Sequence, residues 1–183
     1  LSAPIEFTFD GRRYTGYAGD TLASALLANG VAVVGRSFKF HRPRGIFAAG
    51  PEETGAFVQL GEGARAEPNA RATLVPLYPG LSARGQNAWP GVRRDFWGVL
   101  DRFRALLPAA FYYKTFQWPS WHFWEPLVRR AAGLGRAPTA PDPQWYVKEN
   151  AHAEVVVVGA GRSGLRAALE ASASGDDRVL LID

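Results

Sequence analysis

The residues best suited to chemistry form one short glycine-rich segment near the end of the 183-residue chain. This segment is Gly159-Ala160-Gly161-Arg162-Ser163-Gly164, with the G-x-G-x-x-G spacing of a dinucleotide-binding loop. In such a loop the first glycine permits a tight turn, the second lets the backbone approach a pyrophosphate, and the third allows close packing of helix on strand. The fourth residue of the segment, Arg162, is expected to add a positive charge beside the pyrophosphate and so to strengthen binding.

The flanking sequence predicts the elements that must position this loop. Val155–Val158 is typical of a strand buried on both faces, Leu165–Ser174 of a helix, and Val179–Ile182 of a second buried strand. Asp183 ends the unit, a little further from Gly159 than the usual spacing of about 20 residues. A carboxylate there accepts hydrogen bonds from the adenosine ribose and disfavours a 2′-phosphate, which favours NAD or FAD over NADP. The alternative is a βαβ unit that binds no nucleotide.

Composition excludes several other classes of site. The chain has 21 Lys+Arg against 17 Asp+Glu, three His, and no Cys or Met. Without cysteine it cannot form disulfides, thiolate zinc sites, cysteine-ligated iron–sulfur clusters or a cysteine nucleophile, and its distant histidines form no local metal motif. No apolar run is long enough to span a membrane and the start does not resemble a signal peptide, so a cytoplasmic protein without membrane contact is expected.

The first segment, residues 1–76, predicts a hairpin followed by a helix and further strands, the order of a β-grasp domain. Alternating apolar residues precede Asp10-Gly11, a strong hairpin dipeptide, and Arg12–Tyr17 is the return strand. Asp20 or Thr21 caps a helix with its apolar face at Leu22, Ala25, Leu26 and Ala28, and Asn29-Gly30 ends it. Further strands are predicted at Val31–Val34, Phe57–Leu60 and Ala72–Val75.

The most basic stretch, Gly35–Gly45, interleaves cations with aromatic residues. Its cations Arg36, Lys39, Arg42 and Arg44 suit an anionic cofactor or a nucleic acid strand, but a structural or interdomain role is favoured and no nucleic acid is expected. His41 is read as a hydrogen-bonded loop histidine in preference to a catalytic base.

The middle, residues 77–150, predicts a loop and helix connector rich in aromatic residues. Leu77–Gly91 is read as a loop and Val92–Leu107 as a helix. Phe111–Trp124 is suited either to lining a flavin or substrate pocket or, as we favour, to packing against a neighbouring domain or subunit. Glu125-Pro126 begins a short helix, and residues 133–145 form a proline-stiffened connector. Because the chain stops at the last residue of a predicted strand, residues 151–183 are read as a truncated domain, and the chain as a piece of a longer one.

Long blocks of this sequence resemble the N-terminal part of the α subunits of heterotetrameric sarcosine oxidases. These blocks are Gly19–Gly30, Gly35–Gly45, Phe111–Phe116, Trp118-Pro119 and Ala131–Gly135. Iron–sulfur members of the wider group carry three loop cysteines, whose positions here fall near Ala49, Thr54 and Phe57. The resemblance therefore implies a ferredoxin-like β-grasp domain without a cluster, followed by the opening βαβ of a Rossmann-type domain, an α+β fold and then α/β.

The same resemblance implies a function in a multisubunit oxidoreductase. The α subunit is expected to hold NAD, the β subunit to carry FAD and FMN, and a C-terminal region absent from this chain to take tetrahydrofolate, with γ and δ subunits as further partners. The complex would demethylate sarcosine, an amine substrate, oxidatively to glycine, form peroxide and transfer a one-carbon unit. No catalytic and no metal-ligating residue is assigned in this segment, because the chemistry belongs to a flavin elsewhere. The alternatives are an FAD- or NAD-dependent dehydrogenase acting on another amine or amino acid, and a non-catalytic assembly module.

Overall fold

The computed structural model describes residues 3–106, 116–131, 135, 137–173, 175 and 178–183. The chain divides into two compact units, Leu1–Pro143 and Gln144–Asp183. The three-segment division predicted from the sequence does not coincide with this division and stays a prediction.

The first unit opens with the predicted hairpin. Strand β1 (Pro4–Phe9) pairs antiparallel with β2 (Arg12–Tyr17). The turn residues Asp10 and Gly11 have φ angles of 47° and 72°, the left-handed conformation that a type I′ turn requires at both central positions. The Asp10-Gly11 prediction is confirmed.

Helix α1 (Leu22–Ala28) follows and packs into the core. Thr21 is its N-cap: the Thr21 hydroxyl accepts from the Ser24 N–H, and the Ser24 hydroxyl accepts from the Thr21 N–H. This reciprocal pair satisfies two of the backbone donors that a helix start leaves unpaired. Gly30, with φ of 72°, follows the C-cap Asn29 as predicted.

The first unit is built on a five-stranded mixed sheet whose neighbouring strands are, in order, β2, β1, Ser82–Gly85, Phe57–Leu60 and Glu67–Arg71. Its remaining strands are β5 (Phe57–Leu60), β6 (Glu67–Arg71) and β7 (Ser82–Gly85), and β7 lies parallel to β1. Hairpin, helix and a parallel central pair match the predicted β-grasp arrangement. The core that they enclose includes Phe7, Phe9, Leu22, Leu26, Val34, Val58 and Leu81.

Three strand predictions need correction. Leu77–Gly91 is not all loop, because β7 lies within it, and the sheet therefore uses residues beyond 76. The last antiparallel strand is Glu67–Arg71. The predicted strand Ala72–Val75 instead forms a turn that follows this strand. Val31–Val34 is not a strand; instead β3 (Gly35–Arg36) pairs with β4 (Pro43–Arg44). In each case the strand is short or polar and is specified by its partner rather than by its own alternation.

The aromatic region also differs from expectation. A short hairpin pairs β8 (Pro90–Gly91) with β9 (Arg94–Asp95). It leads into 3₁₀ turns over Phe96–Leu106, which kink at Phe103. The prediction of one regular helix over Val92–Leu107 is therefore wrong for the described residues. Helix α2 (Trp121–Ala131) starts before the predicted Glu125-Pro126 and contains Pro126 within it. Residues 111–115 of the aromatic run Phe111–Trp124 lie outside the described residues. Residues 132–134 and 136 of the predicted helix end and connector also lie outside them.

The second unit is a strand–helix–strand unit. Strand β10 (Val155–Val158) lies parallel to β11 (Val179–Ile182), and helix α3 (Arg162–Ala173) connects them, starting three residues before the predicted helix. The described residues of this unit include none that is buried, so the prediction that both strands are buried does not hold in this structure. Throughout the described part of the chain, the helices are too short or too polar to cross a bilayer.

Candidate functional site

The glycine-rich segment forms the turn between β10 and α3. The Gly159 N–H donates to the Ile182 carbonyl at 2.6 Å, which ties the start of the turn to the neighbouring strand. Gly159 has a φ of 99°, a conformation that a residue with a side chain adopts only at a cost. The first glycine of the loop is therefore required by the backbone path itself.

The other two glycines have different physical roles. A Cβ at Gly164 would lie 1.8 Å from the Gly159 carbonyl oxygen, so any side chain there would push the helix off the loop. A Cβ at Gly161 would meet no protein atom within 4 Å. The protein's own packing thus requires Gly164 to lack a side chain but places no such requirement on Gly161, where a side chain would fill open space beside the loop.

The first turn of α3, next to Gly161, has backbone N–H groups without an intrahelical acceptor. Because the first intrahelical donor is the Leu165 N–H, which bonds to the Gly161 carbonyl at 2.9 Å, the N–H groups of Arg162, Ser163 and Gly164 have no intrahelical acceptor. The helix dipole adds partial positive charge at the same end, and the exposed Arg162 adds a cation. This combination can stabilise a phosphate group.

Asp183 is joined directly to the loop. One of its carboxylate oxygens, Oδ1, accepts from the Ala160 N–H at 3.0 Å. Its other oxygen has no hydrogen-bond partner among the residues that the structure describes. The geometry therefore brings all seven sequence-predicted site residues, Gly159–Gly164 and Asp183, to one end of the parallel strand pair.

The basic segment lies in the first unit and is used largely within it. The Arg36 guanidinium donates to the carbonyls of Val92 and His41, and Arg42 pairs with Asp101 at 3.0 Å. The charges of Lys39 and Arg42 lie 4.8 Å from the Phe40 ring centre. These contacts favour the structural interpretation of this segment.

His41 is a buried member of a hydrogen-bonded pair. Its Nδ1 lies 2.7 Å from Asp95 Oδ2, and Asp95 Oδ1 accepts from the Trp89 and Trp97 N–H groups. The histidine has a φ of 52° and is 7% exposed. Sequence reasoning identified a hydrogen-bonded histidine but missed Asp95, which is 54 residues away.

Sequence reasoning also missed Glu53, a carboxylate that is almost fully buried. Its Oε2 accepts from the N–H groups of Phe47 and Ala48, both at 2.7 Å, and its Oε1 accepts from Gly55 and from Ala56 at 3.0 Å. Burial raises the pKa of this carboxyl, but the four backbone donors outweigh burial and bring the pKa below its ordinary value. Nothing in the sequence distinguishes Glu53 from its exposed neighbour Glu52.

The first unit also has a surface cavity of about 550 Å³. Phe9, Val31 and Val92 form apolar parts of its wall, and Arg12, Arg93 and Arg94 contribute positive charge. No group of three or more metal-ligating side chains occurs among the described residues.

Residues 2–88 match a protein family described as a 2Fe-2S iron–sulfur cluster binding domain. Over 185 aligned residues, covering all of this chain, the sequence is 54% identical to the sarcosine oxidase subunit alpha of Rhizobium meliloti (strain 1021). It is 35% identical over 182 residues to the corresponding subunit of Corynebacterium sp. (strain U-96), covering 98% of this chain.

The aligned region is a small part of these relatives. It spans 19% of the Rhizobium protein and 14% of the Corynebacterium protein. Among solved structures, the crystal structure of L-proline dehydrogenase from P. horikoshii aligns with 98% of this chain and 24% of its own, at 17% identity and a TM-score of 0.45.

Proposed function

This chain is a relative of the sarcosine oxidase α subunits and corresponds to their N-terminal portion, and from that premise we propose that it binds NAD within a multisubunit, flavin-dependent sarcosine oxidase. Residues 151–183 then open a Rossmann-type dinucleotide-binding domain. Residues 1–76, extended by β7, form a ferredoxin-like domain without a cluster, and the remainder up to residue 150 forms the connector.

The single observation that carries the nucleotide proposal is the open backbone at Gly161 beside the start of α3. A Cβ there would meet no protein atom within 4 Å, so the absence of a side chain leaves room for a ligand rather than for packing. The backbone N–H groups of Arg162 and Ser163 and the Arg162 side chain supply donors and positive charge for a pyrophosphate.

Asp183 supports NAD over NADP. Its Oδ1 is held by the Ala160 N–H, which fixes the carboxylate at the edge of the loop. The oxygen left without a partner among the described residues can accept from ribose hydroxyls, whereas a 2′-phosphate would meet like charge. The loop and the acid thus act as one recognition unit for adenosine and pyrophosphate.

The remaining chemistry is assigned to other parts of the complex. Flavins in the β subunit would take up the electrons removed from sarcosine, which is demethylated to glycine with formation of peroxide and transfer of the one-carbon unit to tetrahydrofolate. We propose a cytoplasmic heterotetramer with β, γ and δ subunits. No residue of this chain is given a role in bond breaking.

The test is a nucleotide titration of the complete α subunit with NAD and NADP, followed by the same titration of Gly161→Val. We expect NAD to bind more tightly than NADP, and Gly161→Val to weaken NAD binding by about a hundredfold or more because its side chain fills the approach to the backbone. Gly98→Val is the matched control, since a Cβ at Gly98 also meets no protein atom within 4 Å.

Each other result contradicts a defined part of the proposal. Equal or tighter NADP binding would refute the role of Asp183, and unchanged NAD affinity in Gly161→Val would refute the loop. A flavin spectrum in the purified α subunit that disappears in Gly161→Val would assign FAD to this loop, as in a dehydrogenase for another amine. Binding of neither nucleotide would favour the assembly module.

A further inference from the structure

The loop that should hold an iron–sulfur cluster has no ligands for one. Residues 2–88 match a cluster-binding family, but the chain contains no cysteine. The resemblance to iron–sulfur members of the wider group implies ligand positions near Ala49, Thr54 and Phe57. Neither alanine nor phenylalanine offers an atom that could bind iron. The residues present therefore do not fit the cluster, and the loop must be held in place by something else.

Glu53 provides that support from the centre of the loop. Its side chain accepts four backbone N–H groups, two from Phe47 and Ala48 on one side and two from Gly55 and Ala56 on the other. The residue is 1% exposed, and no basic group forms an ion pair with it in the described part of the chain. The negative charge is thus balanced by backbone dipoles alone.

Converging backbone N–H groups of this kind form an anion site. Concave sets of N–H groups bind phosphates and iron–sulfur clusters, because each N–H directs a partial positive charge inward. A buried carboxylate without such donors is strongly destabilised, whereas charge-assisted hydrogen bonds are roughly twice as strong as neutral ones. The loop therefore keeps the electrostatic character of a cluster site while its anion belongs to the chain.

The surrounding contacts close the loop on this carboxylate. The Thr73 hydroxyl donates to the Gly50 carbonyl at 2.9 Å, and the Ala72 N–H donates to the Ala56 carbonyl at 2.9 Å. A Cβ at Gly55 would lie 2.7 Å from the Gly45 carbonyl oxygen and 3.3 Å from Glu53 Oε1. Only glycine allows the backbone to approach both, so the loop is shaped around the occupied position.

We propose that the Glu53 carboxylate takes the place of the iron–sulfur cluster as the anion around which residues 47–56 fold. Removal of the carboxylate should leave an empty anion site that a small carboxylate such as formate can fill. The proposal goes beyond nucleotide binding and does not depend on it, because the two sites use different residues and different measurements.

The experiment measures hydrogen exchange of the loop in the complete α subunit. In Glu53→Ala we expect the segment containing residues 45–57 to exchange on the order of tenfold faster or more, since four backbone donors lose their acceptor. Formate should restore protection in a saturable way, and sodium chloride at the same ionic strength should not. Glu52→Ala, which alters the exposed neighbour, is the matched control and should exchange like the unaltered subunit.

Two further measurements decide the case if Glu53→Ala does not fold. Glu53→Gln keeps the size of the side chain but directs an amide NH₂ at two of the N–H donors, so its loop should also lose protection; exchange at the unaltered rate would overturn the proposal. Anaerobic reconstitution of the unaltered subunit with ferrous iron and sulfide should yield no visible cluster absorption, and a stable cluster would overturn it as well. Failure of formate to protect a folded Glu53→Ala subunit would also count against an anion site.

Discussion

The two units of the chain maintain their structures in different ways. The first encloses a continuous apolar core in which Phe7, Leu26 and Val58 are almost inaccessible to solvent. In the second, Val158 is 81% exposed and Leu169 is 68% exposed, although both carry large apolar side chains. The first unit is therefore stabilised by packing, whereas the second has a defined backbone without a core of its own.

This difference separates the scaffold from the candidate site. The shape of the glycine loop follows from three backbone features: the positive φ of Gly159, the close approach at Gly164, and the bond from the Ala160 N–H to Asp183, 23 residues away. None of them requires a buried side chain. The loop therefore has a defined backbone path without a buried core beneath it, although two strands and a helix bury little apolar surface.

The largest expected effect is a difference in hydrogen exchange between the five-stranded sheet of the first unit and the β10–β11 pair of the second, measured in the 183-residue chain. We expect the backbone amides of β1 to be protected roughly a thousandfold or more relative to those of Val155–Val158, since core amides exchange only on global unfolding and unsupported ones on local opening. Exchange followed by mass spectrometry, with rates normalised to the unfolded chain, measures the ratio. Similar protection of β1 and of Val155–Val158 would show that the second unit is stable by itself.

The second prediction compares two leucines in helices. Leu26→Ala removes a fully buried side chain from α1 and should cost about 2–5 kcal/mol of unfolding free energy. Leu169→Ala alters an exposed position in α3 and should change it by no more than about 0.5 kcal/mol. Urea unfolding of both variants gives the two values. Because the helix propensity change is the same in each, a cost in Leu169→Ala close to that in Leu26→Ala would mean that α3 has a packing partner.

Features specified by adjacent residues were predictable from the sequence. The Asp10-Gly11 turn, the Thr21 cap and the strand–glycine–helix order at residues 155–173 all depend on residues a few positions apart. By contrast, β6 and β7 have the sequences Glu-Pro-Asn-Ala-Arg and Ser-Ala-Arg-Gly, without apolar alternation. They are strands because they pair with β5, a preference that no local pattern carries.

The same distinction applies to the sites. The six residues of the glycine loop and Asp183 could be placed at one end of a strand pair from the sequence, because that motif combines a spacing with a fixed order of elements; their role in binding stays a prediction. The partner of His41 could not be found, since Asp95 is distant in sequence. Glu53 was missed for another reason: it and Glu52 are adjacent and identical, and only the path of the loop directs one inward.

The third prediction concerns how the free energy of unfolding of the first unit changes at low pH. Because the folded-state pKa of Glu53 is below its ordinary value of 4.5, its stabilising contribution is complete above that value and is lost as the pH falls through the folded-state pKa. Glu53→Gln should be about 1–3 kcal/mol less stable at pH 7, and the difference should narrow on acidification. Urea unfolding between pH 7 and pH 3 tests this, with Glu52→Gln as control. A difference that stays constant with pH would contradict it.

The smallest effect tests whether local signals alone stabilise the first unit. Thr21→Ala removes the side-chain oxygen that accepts from the Ser24 N–H and should cost about 1 kcal/mol, since the cap satisfies a donor at the start of α1. Urea unfolding measures the loss, and Thr139→Ala, in the exposed connector, is the control. The effect should be smaller than that of Leu26→Ala, because a cap fixes where a helix begins whereas the core holds it in place. A cap loss equal to the core loss would contradict that order and show that the local signal contributes as much to the stability of the first unit as a buried core side chain does.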